Sequence, residues 1–432
     1  MAYSTSLTQY NGASRNIAVS PYAQVIVAML LIAGMYLPSS AHGEHSRACV
    51  FVLLAMLFSL VGYLAWDLGL RPGAATGISL PIVIVLLAST FFTAFRGPSF
   101  CDYGMFVRFS ALALVLSLDL RSFRSGRLVN YAFVLVNCIN IVCGVAIVAG
   151  NEWIGGTLSA FYSQFEADLV PTMMSLHKPV LTFGTHSLAG FFLYLFFWLN
   201  WETYTLRRSA VALLFAISEL VLLLALASFT SVAFAVLALA QIGILLWKRN
   251  RKVFAATAVC IALLVPVGVQ WFEDNSGISQ LLPQLAGTIL NADVNGLLPR
   301  YGSGGALRVP LSYLFDHPMS PIGFMTPPAV VAGDTALSDS GPVEYLLRGS
   351  VPLLVLVYFG LYRFLRFNLP LRGHALFLFL VIVAFEVGFS SLIYYRTFYL
   401  LPFFVIYLRH VTLEFSSVPG ASGSAVGAVN SV

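Results

Sequence analysis

The fold class that this sequence predicts is an all-α polytopic membrane protein with about twelve transmembrane helices, and three observations predict it. The first is composition. Of 432 residues, 59% are hydrophobic and 9% are charged, where a soluble domain carries about 25% charged residues. Mean hydropathy is +0.87. The second is recurrence: apolar runs long enough to cross roughly 30 Å of hydrocarbon follow one another along the chain. The third is that the gaps between these runs alternate in charge, which is a topology signal. The 35 Phe residues suit lipid-facing and interfacial packing.

In order, the N-terminal segment 1–19 is polar, and spans are expected near 20–38, 48–66, 77–95, 103–120, 128–149, 179–199, 209–227, 229–247, 253–271, 343–362, 374–392 and 394–409. The first run is too long for a signal-peptide core and many spans follow it, so it reads as a retained helix. The seventh and eighth are nearly continuous and are divided by "ASFTS", Ala227 to Ser231. The last is short and reads as either a span or an interfacial segment. The chain thus divides into a bundle over 20–271 with an outer gap at 150–178, a long gap at 272–342, C-terminal helices over 343–409 and a tail over 410–432. The small, uncharged tail from Ser416 is expected to be disordered.

Alternate gaps are basic: Arg71; Arg121, Arg124 and Arg127; Arg207 and Arg208; "KRNRK" from Lys248 to Lys252; Arg363, Arg366 and Arg372. Together with Arg15 and Arg409 they fall on one side, which the positive-inside rule makes cytoplasmic, with both termini inside. The gap 272–342 has six acids and two arginines, Arg300 and Arg308, and is expected outside. The formal charge of +5 forms no basic block on a soluble domain, so no nucleic-acid partner is expected. Five scattered cysteines form no CxxC and no Cys/His metal spacing, so no metal or other cofactor is expected.

The long gap holds the densest polar constellation. From Leu307, apolar residues fall at Leu311, Leu314 and Phe315, the spacing of a short amphipathic helix. Arg308 in its first turn is unfavourable for the helix dipole alone. Two arginines with a helix start make a pyrophosphate or carboxylate site, because guanidinium binds such groups bidentately; pairing with the loop's own acids is the plainer alternative. Tyr313 lies on the same helix, and His317 follows in an Asp-His-Pro turn. Asp339 precedes Ser-Gly-Pro, and reads as a general base or as a helix cap. Glu344 and Arg348 are at i, i+4, the spacing of a helix ion pair. Upstream, "SLHKPVLTFGTHSLAG" carries Lys178 at a membrane boundary and His186 about two turns deeper. Arg108, Glu219 and Glu386 fall inside spans, where ionisable groups face the bundle interior and pair; an Arg108–carboxylate pair is expected.

Four of these stretches carry a family resemblance: "KPVLTFGTHSLAG", "SFTS", "ALRVPLSYLFDHPMSPIGF" and "SDSGPVEYLLRGSVPLLVLVYFGLYRFL". In order and spacing, from about Ser175 to Leu365, the chain resembles the O-antigen polymerase and ligase superfamily (Wzy-type), and most resembles an exopolysaccharide repeat-unit polymerase. Lys178 stands where the family often has Arg, and Val232 follows Ser231 where it often has another Arg. The resemblance implies a GT-C-like glycosyltransferase architecture in a bacterial inner membrane, with the 272–342 loop in the periplasm. It implies a donor glycan on undecaprenyl pyrophosphate, with a flippase and a chain-length regulator of the same pathway as partners, and no nucleotide sugar or obligatory metal. In these terms Arg308, Asp339, His317 and Glu344 are the candidate catalytic residues, and Arg300, Lys178, His186, Arg348 and Tyr313 the candidate substrate-binding residues. Glu166 and Asp168, two apart in "FEAD", resemble the acidic pair with which some membrane glycosyltransferases hold a divalent metal, although two acids on a polar loop are common.

Overall fold

The structure is a computed structural model, which describes residues 21–37, 47–68, 72–96, 102–121, 123, 127–162, 169–183, 185–249, 251–252, 255, 307–317, 321–325, 340–393 and 395–416. Among the described residues it is all-helical. The helices are α1 (Pro21–Tyr36), α2 (Arg47–Leu68), α3 (Pro72–Arg96), α4 (Tyr103–Leu116), α5 (Arg127–Val148), α6 (Glu152–Tyr162), α7 (Leu169–Ser175), α8 (His186–Arg207), α9 (Ala210–Ala225), α10 (Phe229–Arg249), α11 (Arg308–Asp316), α12 (Gly341–Asn368), α13 (Arg372–Glu386) and α14 (Tyr395–Ser416). Among the described residues three segments are long and apolar enough to cross a membrane: Arg127–Val148, Phe229–Lys248 and Gly341–Asn368. The expected span 253–271 lies almost wholly outside the described residues.

The core is aromatic and is built on α8 and α14. Every residue from Leu188 to Trp201 and from Arg396 to Arg409 is buried, as befits helices apolar on all sides. Phe191 stacks on Phe385 at 4.3 Å between centroids, Phe183 on Phe192 at 4.9 Å, and Phe133 lies 4.3 Å from Tyr407. The last helix is therefore not short. It runs 22 residues, and the polar residues at and past the expected end at 409 are engaged: Arg409 Nη1 donates to Asn368 O at 3.0 Å, and His410 lies 3.2 Å from Asn130 Nδ2.

Between α9 and α10 the chain breaks at a reciprocal cap. Ser228 Oγ accepts from Ser231 N (3.2 Å) and Ser231 Oγ accepts from Ser228 N (3.0 Å), the geometry of a capping box. The expected span 179–199 is shifted. Residues 178–183 and 185 are not helical; Leu181 adopts φ +54, and Thr185 Oγ1 caps α8 by accepting from Leu188 N. His186 is consequently the first residue of α8 and not two turns inside it.

The helix ends sort into two groups. At one end Asn368 Oδ1 accepts from Leu120 N at 2.7 Å, Asp119 bridges Arg121 at 2.9 Å, and Glu202 lies 3.4 Å from His374. These ends and loops belong to the regions read as basic. The opposite end gathers the close of α1, α3 and α13 with the start of α4, α8, α12 and α14 through the contacts described next.

Candidate functional site

The opposite end is organised by a kink in α12. Pro352 has no N–H to donate and its ring crowds the carbonyl four residues earlier. The chain answers with Gly349 (φ −148, ψ 18) and Ser350 (φ 58, ψ −165), the latter in a region almost reserved for glycine. The kink releases the Leu347 carbonyl, which accepts instead from Ile322 N at 2.7 Å. A strap, residues 321–325, is thereby stitched to α12. Arg348 Nη1 donates to Gly323 O (3.0 Å) and Met325 O (2.8 Å). Phe324 N donates to Thr93 Oγ1 at 2.7 Å, and Phe324 O accepts from Asp102 N at 2.6 Å. Gly323 has φ +63, and a Cβ there would lie 2.5 Å from Thr93 N, so only glycine fits.

Under the strap Arg348 Nε meets Glu344 Oε1 at 2.8 Å, both side chains almost wholly buried. One turn away Tyr345 Oη donates to Glu386 Oε2 at 2.6 Å. Glu386 Oε1 accepts from Ser391 Oγ (2.9 Å) and Leu392 N (2.5 Å). Gly341 leaves room for this carboxylate, since a Cβ there would overlap Glu386 Oε2. Glu344 and Glu386 thus each have specific donors, which offsets part of their desolvation cost. Glu386 does not pair with Arg108, and both oxygens of the fully buried Glu219 meet no donor, so the expected pairing of Arg108 with an intramembrane carboxylate is not made with either.

The short amphipathic helix predicted from Leu307 exists as α11, but its buried face is turned from the expected one. Leu307, Pro310 and Tyr313 are buried, while Phe315 is 82% exposed. At 100° per residue the face that meets α12 is centred between Pro310 and Leu314, which leaves Phe315 outside it. Tyr313 forms a small apolar cluster with Ile322, Val343 and Leu347, so its ring packs against α12 and the strap.

The predicted residues therefore separate. Glu344 and Arg348 come together as an ion pair that locks the strap. Arg308 opens α11 and His317 closes it; both are exposed. Nine steps at 1.5 Å and 100° each put them about 13 Å apart and towards opposite faces of the helix. Lys178 lies half-buried on the irregular segment before α8, where burial pushes its ammonium pKa down. His186 is half-buried with no partner for Nδ1. Arg300, Asp339, Glu166 and Asp168 lie outside the described residues. Among the described residues no three His, Cys, Asp or Glu side chains form a metal-holding group.

Two features were missed by sequence reasoning: the hydroxyl set of Tyr345 and Ser391 around Glu386, and Arg396. Arg396 stands in the first turn of α14 and is 0% exposed. A single arginine inside "YYRTFYLLPFF" was the available signal. The chain matches no protein-family model, no curated protein and no solved structure.

Proposed function

We propose that the chain is an integral-membrane glycosyltransferase of the O-antigen polymerase and ligase type, a polysaccharide polymerase. On this reading it crosses the inner membrane about twelve times, keeps both termini in the cytoplasm and faces the periplasm with the end that carries the strap. It moves a growing glycan from undecaprenyl pyrophosphate onto the next lipid-linked repeat unit. The observation that carries the reading is the strap: after the long gap the chain does not pass freely between spans, but lays α11 and residues 321–325 across the end of the bundle and ties them to α12. Long loops that fold onto a scaffold are where binding and catalysis concentrate.

In this mechanism the departing pyrophosphate needs positive charge where negative charge develops. Arg308, with Arg300 or Lys178, supplies it without metal. The attacking sugar hydroxyl needs a base within hydrogen-bond reach, for which Asp339 stands first, with His317 and Glu344 after it. Of these, His317 is exposed on the outer end, whereas Glu344 Oε1 is already engaged by Arg348. The decisive experiment is reconstitution with one defined lipid-pyrophosphate repeat unit, with and without chelator. A ladder of polymer in both is expected. Joining only to a non-repeat acceptor would make the protein a ligase. No glycan transfer, with translocation of the lipid across the bilayer, would make it a carrier, a reading that the unpartnered intramembrane Glu219 favours.

A further inference from the structure

Helix α9 is apolar from end to end but for Ser218 and Glu219. Glu219 is 0% exposed. Neither carboxyl oxygen has a hydrogen-bond partner, and no cation among the described residues lies within ion-pair distance of it. Glu344 and Glu386, which are as deeply buried, both have donors. An isolated ionised carboxylate is so costly to dehydrate that it takes up a proton instead. Buried polar groups without partners are also rare enough to need a reason.

The packing of α9 on α5 brings a donor to the level of this acid. Both helices run from the basic end towards the strap-bearing end: α9 starts just after α8 ends at Arg207, and Asn130 near the start of α5 meets His410 near the end of α14. They touch at Gly144, where a Cβ would come within 2.7 Å of Leu222 Cδ1. Back from that contact by about 6 Å on α5 stands Asn140, and by about 4.5 Å on α9 stands Glu219. Asn140 is buried, and its Nδ2 is a donor without an acceptor. Asn137, on the same face, is fully used: Nδ2 donates to Phe133 O at 2.8 Å, and Oδ1 accepts from Asn200 Nδ2 at 2.7 Å. Asn140 Oδ1 accepts from Tyr36 Oη at 3.1 Å, and the charge of Glu219 acts on the same phenol. Tyr36, the last residue of α1, is the partly exposed member of the three. The helices packed against α9 are α5, α8 and α10. Away from their terminal turns they carry Tyr131, Cys138 and Cys143 on α5, Tyr194 and Glu202 on α8, and no ionisable group on α10. None of these acts on Glu219, which burial alone governs.

We propose that Glu219 is an exchangeable proton-binding site inside the bundle, which holds a proton in this fold and releases it towards the strap-bearing end past Tyr36. The step is an acid dissociation: the O–H bond of the carboxyl breaks, its electron pair stays on the carboxylate, and the proton passes to water. Asn140 Nδ2 and Tyr36 Oη are the donors that receive the carboxylate left behind. That role explains why a free acceptor and a free donor are kept at one level of two touching helices. Ionisable groups retained inside a membrane bundle mark proton and ion pathways. Glu219 lies six residues, about 9 Å, from the end of α9 at Ala225, so the path to that end is short. The proposal rests on the packing of α1, α5 and α9 and not on the polymerase reading.

The test is infrared spectroscopy of the full chain in lipid nanodiscs during a pH titration, reading the C=O stretch of protonated carboxyl groups. Wild type is expected to show a buried-acid band that is lost reversibly as pH rises, about tenfold per pH unit past its midpoint. Glu219→Gln should lack that band. Asn140→Leu removes the waiting donor, so ionisation becomes harder and the midpoint should move up by about one pH unit, the worth of one hydrogen bond to a charged group. Tyr36→Phe should move it in the same direction. A wild-type band that is absent, or that survives at every pH, overturns the proposal, and so does a midpoint that Asn140→Leu leaves unchanged. If Glu219→Gln does not fold, the Asn140→Leu shift decides alone. Replacing sodium in the buffer by a bulky organic cation separates two possible occupants. An unchanged midpoint supports the proton, while a midpoint that follows sodium shows a metal ion displacing it and overturns the assignment.

Discussion

The two ends of the bundle carry charge in opposite ways. At the basic end, Asp119 and Arg121 pair at 2.9 Å with about a third of each side chain exposed, Arg121 also covers the Phe367 ring at 3.6 Å, and His374 faces Glu202 in partly exposed positions. Such pairs are solvated and contribute little to stability. At the strap-bearing end, Glu344, Arg348, Glu386 and Arg396 are all but completely buried. There the ions are held by named donors and acceptors, Arg396 by Thr182 Oγ1 and Leu37 O with its Nε left over. The difference shows which charges stay solvated and which cost the fold free energy to keep. A charge that has been dehydrated at such expense is the better guide to function.

The contrast can be broken first at Glu344. Glu344→Gln leaves the Arg348 guanidinium buried without its carboxylate, and should cost about 3–5 kcal/mol. Thermal unfolding in detergent reads this as a large drop in midpoint, and an unchanged midpoint would show that the pair is solvated after all. Next in size is Gly323→Ala, which forces a Cβ against Thr93 N and should cost about 1–3 kcal/mol. Its expected signature is local: the strap becomes sensitive to protease while the helical content by circular dichroism holds. A strap as resistant as in wild type would disprove the close approach. The smallest effect is expected at the basic end. Burial works to raise the Asp119 carboxyl, but the hydrogen bonds and charge of Arg121 outweigh it and hold the carboxyl below its ordinary range. A depressed carboxylate stabilises the fold above its unfolded pKa, near 4, and that contribution fades as pH falls through the lower folded value. Asp119→Asn should therefore lower the midpoint slightly at neutral pH and not at all in strong acid. A gap that persists there would point to packing instead of charge.

Some elements were legible along the chain and others were not. The span read at 128–149 is α5, Arg127–Val148, and the span read at 229–247 is α10, Phe229–Arg249. Long apolar runs between polar ends define themselves locally. The spacing at Leu307, Leu311 and Leu314 announced α11, though not which way Phe315 would point, because that depends on α12. The i, i+4 spacing announced Glu344 and Arg348, though not that their buried pair would hold Gly323 and Met325. The strap was invisible: five residues with no period, shaped by hydrogen bonds to Leu347, Thr93 and Asp102.

Composition and apolar run length were enough to determine an all-helical fold among the described residues, with segments apolar enough to span a membrane. These depend on neighbours within a turn or two, and so are written locally. Which charge is buried, and which of its donors is left unsatisfied, was decided only by tertiary packing. Arg396 touches Thr182 across 214 positions and Leu37 across 359, and a charge loses its water only when distant segments close around it.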